Sequence, residues 1–178
     1  MSIALFVVTI MLSAQRMIEL AISMRNRDRA IARGGVEYGA DHFWMFAALH
    51  TLWIVGMYAE TIFLHRQVAP WWPLAVMFGI VLQGMRYWTI ATLGEAWNTR
   101  IVVWPGMKRI TTGPYRWLRH PNYVIVCIEL ALIPLAFGCW ITALLATIAN
   151  AAILLLVRIP AEERALSEAT RGGGHSMQ

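Results

Sequence analysis

The chain has 178 residues, of which 58% are hydrophobic and only 14% are charged, and its mean hydropathy is +0.55. A water-soluble domain carries more surface charge than this, so the composition excludes an ordinary soluble fold. The formal charge is +5, but the basic residues lie in short stretches between apolar runs, which is typical of membrane proteins and not of nucleic-acid-binding proteins. We therefore predict an integral membrane protein.

Five apolar runs follow one another along the chain, and most reach the roughly 20 residues that a membrane-spanning helix needs. The first run has no basic stretch before it, so we expect a retained span and not a cleaved signal peptide. The fourth run is short and is joined to the fifth by a tight turn, which predicts a helical hairpin and leaves open whether the fourth helix crosses fully. The predicted spans are Ser2–Met24, Asp41–Leu64, Trp71–Leu93, Tyr123–Phe137 and Trp140–Ile159.

These spans predict an all-α, polytopic membrane protein whose residues 1–170 form a single domain. The last residues, 171–178, contain three consecutive glycines and no apolar run, so we expect a disordered tail. Cys127 and Cys139 lie inside the apolar hairpin and indicate neither a disulfide framework nor a metal site, which needs closely spaced Cys and His ligands.

Basic residues are unevenly divided among the predicted loops. The loop between the second and third spans has only Arg66, whereas nine Lys and Arg residues follow the first and third spans. Because cytoplasmic loops are enriched in Lys and Arg, we expect the N-terminus outside the inner (plasma) membrane and the C-terminus in the cytoplasm. The long loop Gly94–Asn122 then lies on the same face as the C-terminal segment. Of these basic residues, Arg100, Lys108 and Arg109 are interpreted as topology determinants. The nine are Arg25, Arg27, Arg29, Arg33, Arg100, Lys108, Arg109, Arg116 and Arg119.

The long loop ends in a stretch, Gly113–Tyr123, that is too polar to span a membrane and unusually rich in aromatic residues. Its opening Gly-Pro pair favours a turn, and Pro121 biases His120 toward an extended backbone, so we expect the chain to break at His120, just before the fourth span begins. A helix start offers free N–H groups to an anion, and Arg119 and His120 add further donors. This stretch is a candidate binding site for an anionic group.

A second polar segment follows the fifth span. Arg158 and Glu162 are four residues apart and share one face of a helix, while Pro160 between them disturbs that helix at the membrane boundary. The neighbouring carboxylates of Glu162 and Glu163 could bind a ligand ammonium or sulfonium, or they could be solvated surface charges.

Together, the two segments resemble a known family. The pattern Gly-Pro-Tyr-Arg-x-x-Arg-His-Pro-Asn-Tyr at residues 113–123, an apolar hairpin, and Arg-x-x-x-Glu-Glu at residues 158–163 is similar to the isoprenylcysteine carboxyl methyltransferase family, which shares this signature with phospholipid methyltransferases. The resemblance runs from Arg86 to Leu166. It implies a membrane-embedded methyltransferase that uses S-adenosylmethionine, bound in part by the cytoplasmic loop, and that takes a lipid-like acceptor from the bilayer.

The resemblance also implies roles for individual residues. Arg158 would help to position the acceptor, and Glu162 could assist as a catalytic group. Arg86, Trp88 and Glu129 are further candidates for contact with the acceptor. Methyl transfer from a sulfonium needs no metal. The residues implied at the cofactor are Tyr115, Arg119, His120, Pro121, Tyr123, Glu162 and Glu163.

The sequence does not decide the chemical class of the acceptor. It could be a prenylcysteine-type carboxylate or the hydroxyl of an alkylpyrone or alkylresorcinol. The stretch from Arg86 to Val103 favours the hydroxyl, because it resembles a bacterial branch of the family that is associated with type III polyketide synthases. Phospholipid N-methylation is an alternative, and a small transporter or binding protein is an alternative from a different class. For Arg116, Arg119 and His120, the alternative to a cofactor site is attachment of the loop to anionic lipid headgroups.

Ionisable residues inside the spans are costly and need partners. We expect Arg16 and Glu19 to form a structural pair with each other or with Arg86. Glu129 is expected either to pair with Arg86 or Arg158 or to belong to the site.

Overall fold

The structure is a computed structural model and describes residues 3–172. Four helices are long and apolar enough to cross a membrane, and Pro121–Ala136 is a shorter apolar helix. This confirms the predicted all-α polytopic membrane fold. In chain order the elements are α1 Ile3–Ala32, β1 Val36–Tyr38, α2 Phe43–Phe63, α3 Trp72–Leu93, β2 Ile101–Val103, α4 Pro121–Ala136, α5 Trp140–Ile153 and α6 Ile159–Gly172.

Helix α1 extends well beyond the predicted end of the first span at Met24. The polar residues that follow include no helix breaker, and arginine is a good helix former, so the helix continues to Ala32. It stops before Gly34, which adopts a φ of +79°. The extension carries Asn26, whose side-chain amide donates hydrogen bonds to the carbonyl oxygens of Gly94 and Trp97 at 3.2 and 2.8 Å. Helix α1 therefore holds the first part of the long loop.

A two-stranded antiparallel sheet, which the sequence did not indicate, ties the long loop to the segment after α1. Strands β1 and β2 pair with Glu37 opposite Val102. The Glu37 carboxylate accepts hydrogen bonds from Arg27 and Arg100, each at 2.5 Å. Burial by itself would raise the pKa of Glu37, but the two guanidinium groups outweigh it and hold that pKa below its usual value. This ionised bridge fixes β2, which belongs to the long loop, beside β1 and the end of α1.

The short helix α4 reaches the opposite end of the bundle. It has 16 residues, about 24 Å of helix. The carbonyl oxygen of Ala136, its last residue, accepts a hydrogen bond at 2.9 Å from the Ala69 N–H in the loop between α2 and α3. Helix α5 begins directly after the turn that follows α4. There the Thr142 N–H, which has no partner inside the helix, donates to the Glu60 carboxylate at 2.5 Å.

The turn at Gly138 provides a test of this hairpin. Gly138 has a φ of +72°, and a Cβ added there would lie 2.7 Å from the Gln67 carbonyl oxygen. Left-handed backbone costs an L-residue about 1 to 2 kcal/mol before any clash. We expect Gly138→Ala to lower the thermal unfolding temperature in detergent by several degrees. Gly79→Ala is the control, because nothing lies within 4 Å of its added Cβ; an equal loss in both variants would contradict the assignment of strain to Gly138.

The predicted helix disturbance at Pro160 takes the form of a π-helical turn. Residues Leu154–Arg158 form this turn, in which the Ile159 N–H bonds to the Leu154 carbonyl five residues earlier. Pro160 lacks an N–H and its ring crowds the carbonyl of the preceding turn, and the wider turn relieves that conflict. The span therefore continues into α6 as one helical stretch, Trp140–Glu168. Residues 171 and 172 belong to α6, and the remainder of the predicted tail, 173–178, lies outside the described residues.

Buried charges join α1, α3 and α4 inside the bundle. The Arg86 Nε and Nη2 atoms donate to the two carboxylate oxygens of Glu19, both at 2.6 Å. Arg16 donates to Glu19 at 2.9 Å and to Glu129 at 2.6 Å. Glu129 lies 3.8 Å from Arg86 Nη1. The expected pairing of Arg16, Glu19 and Arg86 is confirmed, and Glu129 pairs with Arg16 and Arg86 and not with Arg158. We call these four residues the intramembrane charge cluster.

Candidate functional site

A partly open cleft lies at the end of the bundle where the long loop, the start of α4 and the start of α6 meet. The two polar segments that the sequence analysis singled out, separated by about forty residues of hairpin, thus come together in space. Six of the predicted site residues line this cleft, namely Tyr115, Arg119, His120, Tyr123, Arg158 and Glu162.

The Tyr123 side chain links the two segments. Its hydroxyl group donates a hydrogen bond to Glu162 Oε2 at 2.5 Å and accepts one from Arg158 Nε at 3.0 Å. Its ring stacks on the His120 imidazole with centroids 5.1 Å apart and planes 9° from parallel. The first turn of α4 therefore fixes the orientation of both the guanidinium and the carboxylate, and Arg158 is only 9% exposed.

The His120 imidazole lies between the two acidic residues. Its Nδ1 atom is 3.7 Å from Glu162 Oε1, and its Nε2 atom is 3.6 Å from Glu163 Oε1, both longer than a hydrogen bond. Within the described part of the chain, His120 Nε2 and Asn122 Oδ1 are buried atoms that have no hydrogen-bond partner. Buried polar atoms are normally satisfied, so these two atoms mark a place where a ligand could supply the missing partners.

Tyr115 enters the cleft from a short 3-10 turn, Gly113–Arg116. Burial, supported by the nearby negative charge of Glu162, raises the pKa of Tyr115 above its ordinary value. The phenol therefore keeps its proton at any physiological pH.

Sequence comparison identifies the family. The model of the isoprenylcysteine carboxyl methyltransferase (ICMT) family matches residues 75–168. The chain belongs to this family. A Bacillus subtilis protein, YpbQ, is 38% identical over 157 residues, which cover 88% of this chain and 93% of the relative. A Haemophilus influenzae protein is 27% identical over 156 residues, covering 86% and 90% of the two chains. No solved structure matches the chain.

Membership of the ICMT family makes this protein a multi-pass membrane methyltransferase. The matched range begins in α3 and ends in α6, so it contains the whole cleft-forming loop, the hairpin and the acidic pair. Helices α1 and α2 lie outside it. Helix α1 joins the family core through the intramembrane charge cluster and through Asn26. Helix α2 joins it through Glu60, which accepts from the Thr142 N–H, and through Trp53, whose indole N–H donates to the Leu130 carbonyl oxygen.

Some predicted ICMT-site residues lie beside the cleft and not in its lining. Pro121 is buried at the first position of α4, where it sets the helix start. Glu163 is half-exposed and forms an ion pair with Arg109 at 3.2 Å. Arg86 and Glu129 are engaged in the charge cluster; Glu129 is six residues beyond Tyr123 on α4, about 9 Å deeper in the bundle. The substrate roles suggested for Arg86 and Glu129 thus gain no support from their positions.

Trp88 lies on the outer face of the bundle, with its ring edge toward the Trp117 ring, 5.9 Å between centroids. It does not belong to the cleft lining in the described structure. A contact with an acceptor arriving through the lipid remains a prediction for this residue.

The middle of the long loop forms a wall of the cleft that was not predicted from the sequence. The basic residues Arg100, Lys108 and Arg109, interpreted as topology determinants, line the cleft. A usable signal was the apolar run of β2, which is out of place in a polar loop and predicts burial. Further lining residues that were not assigned are Asn98, Ile101, Val103, Met107, Ile110 and Asn122.

Proposed function

We propose that this ICMT-family protein transfers a methyl group from S-adenosylmethionine to an oxygen atom of a lipid-like acceptor. The observation that carries the proposal is the junction of Arg158, Tyr123 and Glu162, which places a fixed cation and a carboxylate in one cleft at the end of the membrane-spanning bundle. Methyltransferases of this family generally use this donor, and the cleft chemistry fits it.

The polar groups of the cleft complement the two charges at the amino-acid end of the donor. The carboxylate of Glu162 suits an ammonium group, and the guanidinium of Arg119 suits a carboxylate. The unpartnered His120 Nε2 and Asn122 Oδ1 atoms offer further hydrogen bonds. When bound, S-adenosylmethionine supplies an electrophilic methyl group on a sulfonium.

Arg158 is the residue best suited to orient the acceptor oxygen. Its guanidinium stays charged at every relevant pH, and Tyr123 holds it in a direction set by the 3.0 Å hydrogen bond. Alignment of an acceptor oxygen with a bound methyl donor supplies several kcal/mol of rate acceleration, on the order of 7 or more in favourable cases. A carboxylate acceptor is already ionised, whereas a hydroxyl acceptor would transfer its proton to Glu162 or His120.

The membrane position of the cleft suits an acceptor that stays in the bilayer. Exposing an alkyl or prenyl chain to water costs about 0.8 kcal/mol per methylene, so a site at the end of the spans avoids extraction of the chain. The uneven distribution of Lys and Arg supports a cytoplasmic location for the cleft end in the inner membrane, where the water-soluble donor is available.

Donor binding is the first test. Isothermal titration of the purified protein with S-adenosylhomocysteine should give a saturable heat, and its absence would remove the proposed function. The acceptor is then sought by mass spectrometry with prenylcysteine, alkylpyrone and phospholipid panels. An O-methylated prenylcysteine or alkylpyrone supports the proposal, and methylated phosphatidylethanolamine would replace it by phospholipid N-methylation.

The His120→Ala variant should bind S-adenosylhomocysteine at least tenfold more weakly. The substitution removes the ring that stacks on Tyr123 and the unpartnered Nε2 atom in the cleft. Titration calorimetry measures the change. His65→Asn is the control, because His65 is exposed at the opposite end of the bundle and asparagine tolerates its φ of +51°. Equal affinities in His120→Ala and the unmodified protein would remove His120 from the site.

A further inference from the structure

The segment that carries Tyr115 and His120 into the cleft also packs on the outer face of a spanning helix. Trp117 meets Trp88 of α3 with ring centroids 5.9 Å apart and planes at 68°. Gly113 lies so close to Thr92 that an added Cβ would be 2.6 Å from its hydroxyl oxygen. Both α3 residues belong to the span Trp72–Ala96. These contacts place the segment at the depth of the last two turns of α3, close to the membrane surface.

Four consecutive side chains of this segment are exposed, and they combine two large apolar groups with two cations. Trp117 is 69% exposed and Leu118 is 44% exposed. Arg116 and Arg119 flank them and are exposed as well. In water, an exposed Trp-Leu pair would be unfavourable, whereas tryptophan is enriched at membrane interfaces. The exposed Arg-Trp-Leu-Arg segment, residues 116–119, therefore has the composition of a surface that contacts lipid.

The two cations of this segment have no protein counter-charge within the described residues. Neither the Arg116 nor the Arg119 side chain has a hydrogen bond or an ion pair there. Three other exposed arginines at this end are paired: Arg29 and Arg33 with Glu95 at 3.3 and 2.6 Å, and Arg109 with Glu163. The segment therefore presents two cations that no carboxylate within residues 3–172 neutralises.

We infer that residues Arg116–Arg119 form a binding surface for anionic phospholipids of the adjacent leaflet, with Trp117 and Leu118 at the headgroup boundary and Arg116 on a lipid phosphate. Each basic residue near an anionic surface contributes about fivefold to binding. Arginine suits phosphate because its planar fork donates two parallel hydrogen bonds. Position beside α3, apolar exposure and unpaired charge all favour a lipid over a soluble partner.

This surface couples the lipid to the cleft. Arg119 belongs to both the surface and the cleft lining, and Tyr115 and His120 lie immediately on either side of the segment. Fixing the segment against the membrane therefore fixes the cleft wall, so donor affinity rises with the fraction of anionic lipid. This second step rests on the proposed function.

The lipid contact is tested first, without reference to methyl transfer. Native mass spectrometry of the detergent-solubilised protein should show selective adducts of phosphatidylglycerol over phosphatidylcholine. Arg116→Gln should weaken phosphatidylglycerol binding about fivefold, and Trp117→Ala should weaken it too. Arg33→Gln removes the same formal charge from an arginine already paired with Glu95 and should leave binding unchanged. Unchanged binding in Arg116→Gln, or an equal loss in Arg33→Gln, would overturn the inference.

The coupling is tested in nanodiscs of phosphatidylcholine with and without phosphatidylglycerol. S-adenosylhomocysteine should bind more tightly to the unmodified protein when phosphatidylglycerol is present, and soluble glycerol phosphate should not reproduce the gain. Arg116→Gln should match the unmodified protein in phosphatidylcholine and lack the gain. Equal affinities in both lipids would overturn the coupling. If the ligand bound in neither lipid, the proposed function would fail, while the lipid contact would still be decided by the adduct measurement.

Discussion

Glu19→Gln will destabilise the folded protein by about 3 kcal/mol or more, the largest loss of stability expected from a single side chain in the bundle. Glu19 is 4% exposed and accepts two hydrogen bonds from Arg86 at 2.6 Å and one from Arg16 at 2.9 Å. A glutamine amide removes the negative charge and turns an N–H toward Arg86, which is itself 4% exposed. Arg86 thereby loses its closest counter-charge and keeps only the Glu129 carboxylate, 3.8 Å from its Nη1 atom, inside a membrane where water cannot compensate.

Thermal unfolding in detergent, with the helical circular dichroism signal as the readout, measures this effect. Glu95→Gln is the matched control, because Glu95 also accepts from two arginines but is half-exposed, and exposed pairs contribute only about 0 to 1 kcal/mol. A shift in Glu19→Gln no larger than in Glu95→Gln would show that the charge cluster does not hold α1 to the family core.

A double substitution separates pairing from simple loss of polarity. Removal of both partners by Glu19→Gln and Arg86→Met should recover part of the stability that either single variant loses, because no buried charge is then left unpaired by the change. Additive losses in the double variant would contradict a direct interaction between Glu19 and Arg86.

Arg158→Ala will lower the turnover number by about a hundredfold or more while leaving the affinity for S-adenosylhomocysteine nearly unchanged. The expected size is that of removing one aligned, charged donor from a reacting group. Steady-state kinetics with the identified acceptor, combined with calorimetry, separates the two quantities. Because Arg158 is buried, Arg158→Lys serves as a second variant that keeps the charge but not the guanidinium geometry, and it should recover only part of the rate.

Substitutions of the acidic pair Glu162 and Glu163 should weaken donor binding. Glu162 lines the cleft and accepts from Tyr123 at 2.5 Å, so Glu162→Gln should weaken S-adenosylhomocysteine binding at least tenfold. Glu163→Gln should have a smaller effect, since Glu163 lies outside the lining and is ion-paired with Arg109. Arg164→Ala, an exposed neighbour on α6, is the control for both kinds of measurement. Full turnover in Arg158→Ala together with normal binding in Glu162→Gln would remove the assigned site.

The elements that the sequence predicted well depend on local physics. Apolar runs of sufficient length predicted the spans, because the hydrocarbon thickness sets how many residues a helix needs. The break in the chain at His120, just before α4, and the disturbed helix at Pro160 follow from the missing N–H and the fixed ring of proline. The polar segments on either side of the hairpin were identified as neighbours because an antiparallel hairpin returns its two ends to the same face.

Other elements required knowledge of packing. The end of α1 lies at Ala32 and not at Met24 because contacts with the long loop stabilise its polar extension. The pairing of β1 with β2 joins three-residue strands that lie more than sixty residues apart, and no local pattern encodes such a partner. The cleft wall formed by Arg100, Lys108 and Arg109 follows from that pairing, so these cations could be interpreted from sequence only as topology signals.

What the sequence by itself determined is the membrane-spanning architecture, the family signature and the two segments that meet at the cleft. The tertiary structure decided which charged side chains line the cleft and which form ion pairs inside the bundle. Tyr123 and Glu129 both lie on helix α4. The packing of α4 turns Glu129 toward Arg16 and Arg86 in the bundle, whereas it turns Tyr123 toward Glu162 in the cleft. Sequence spacing fixes which residues share a helix face, but only the packing of that helix against its neighbours decides what the face meets.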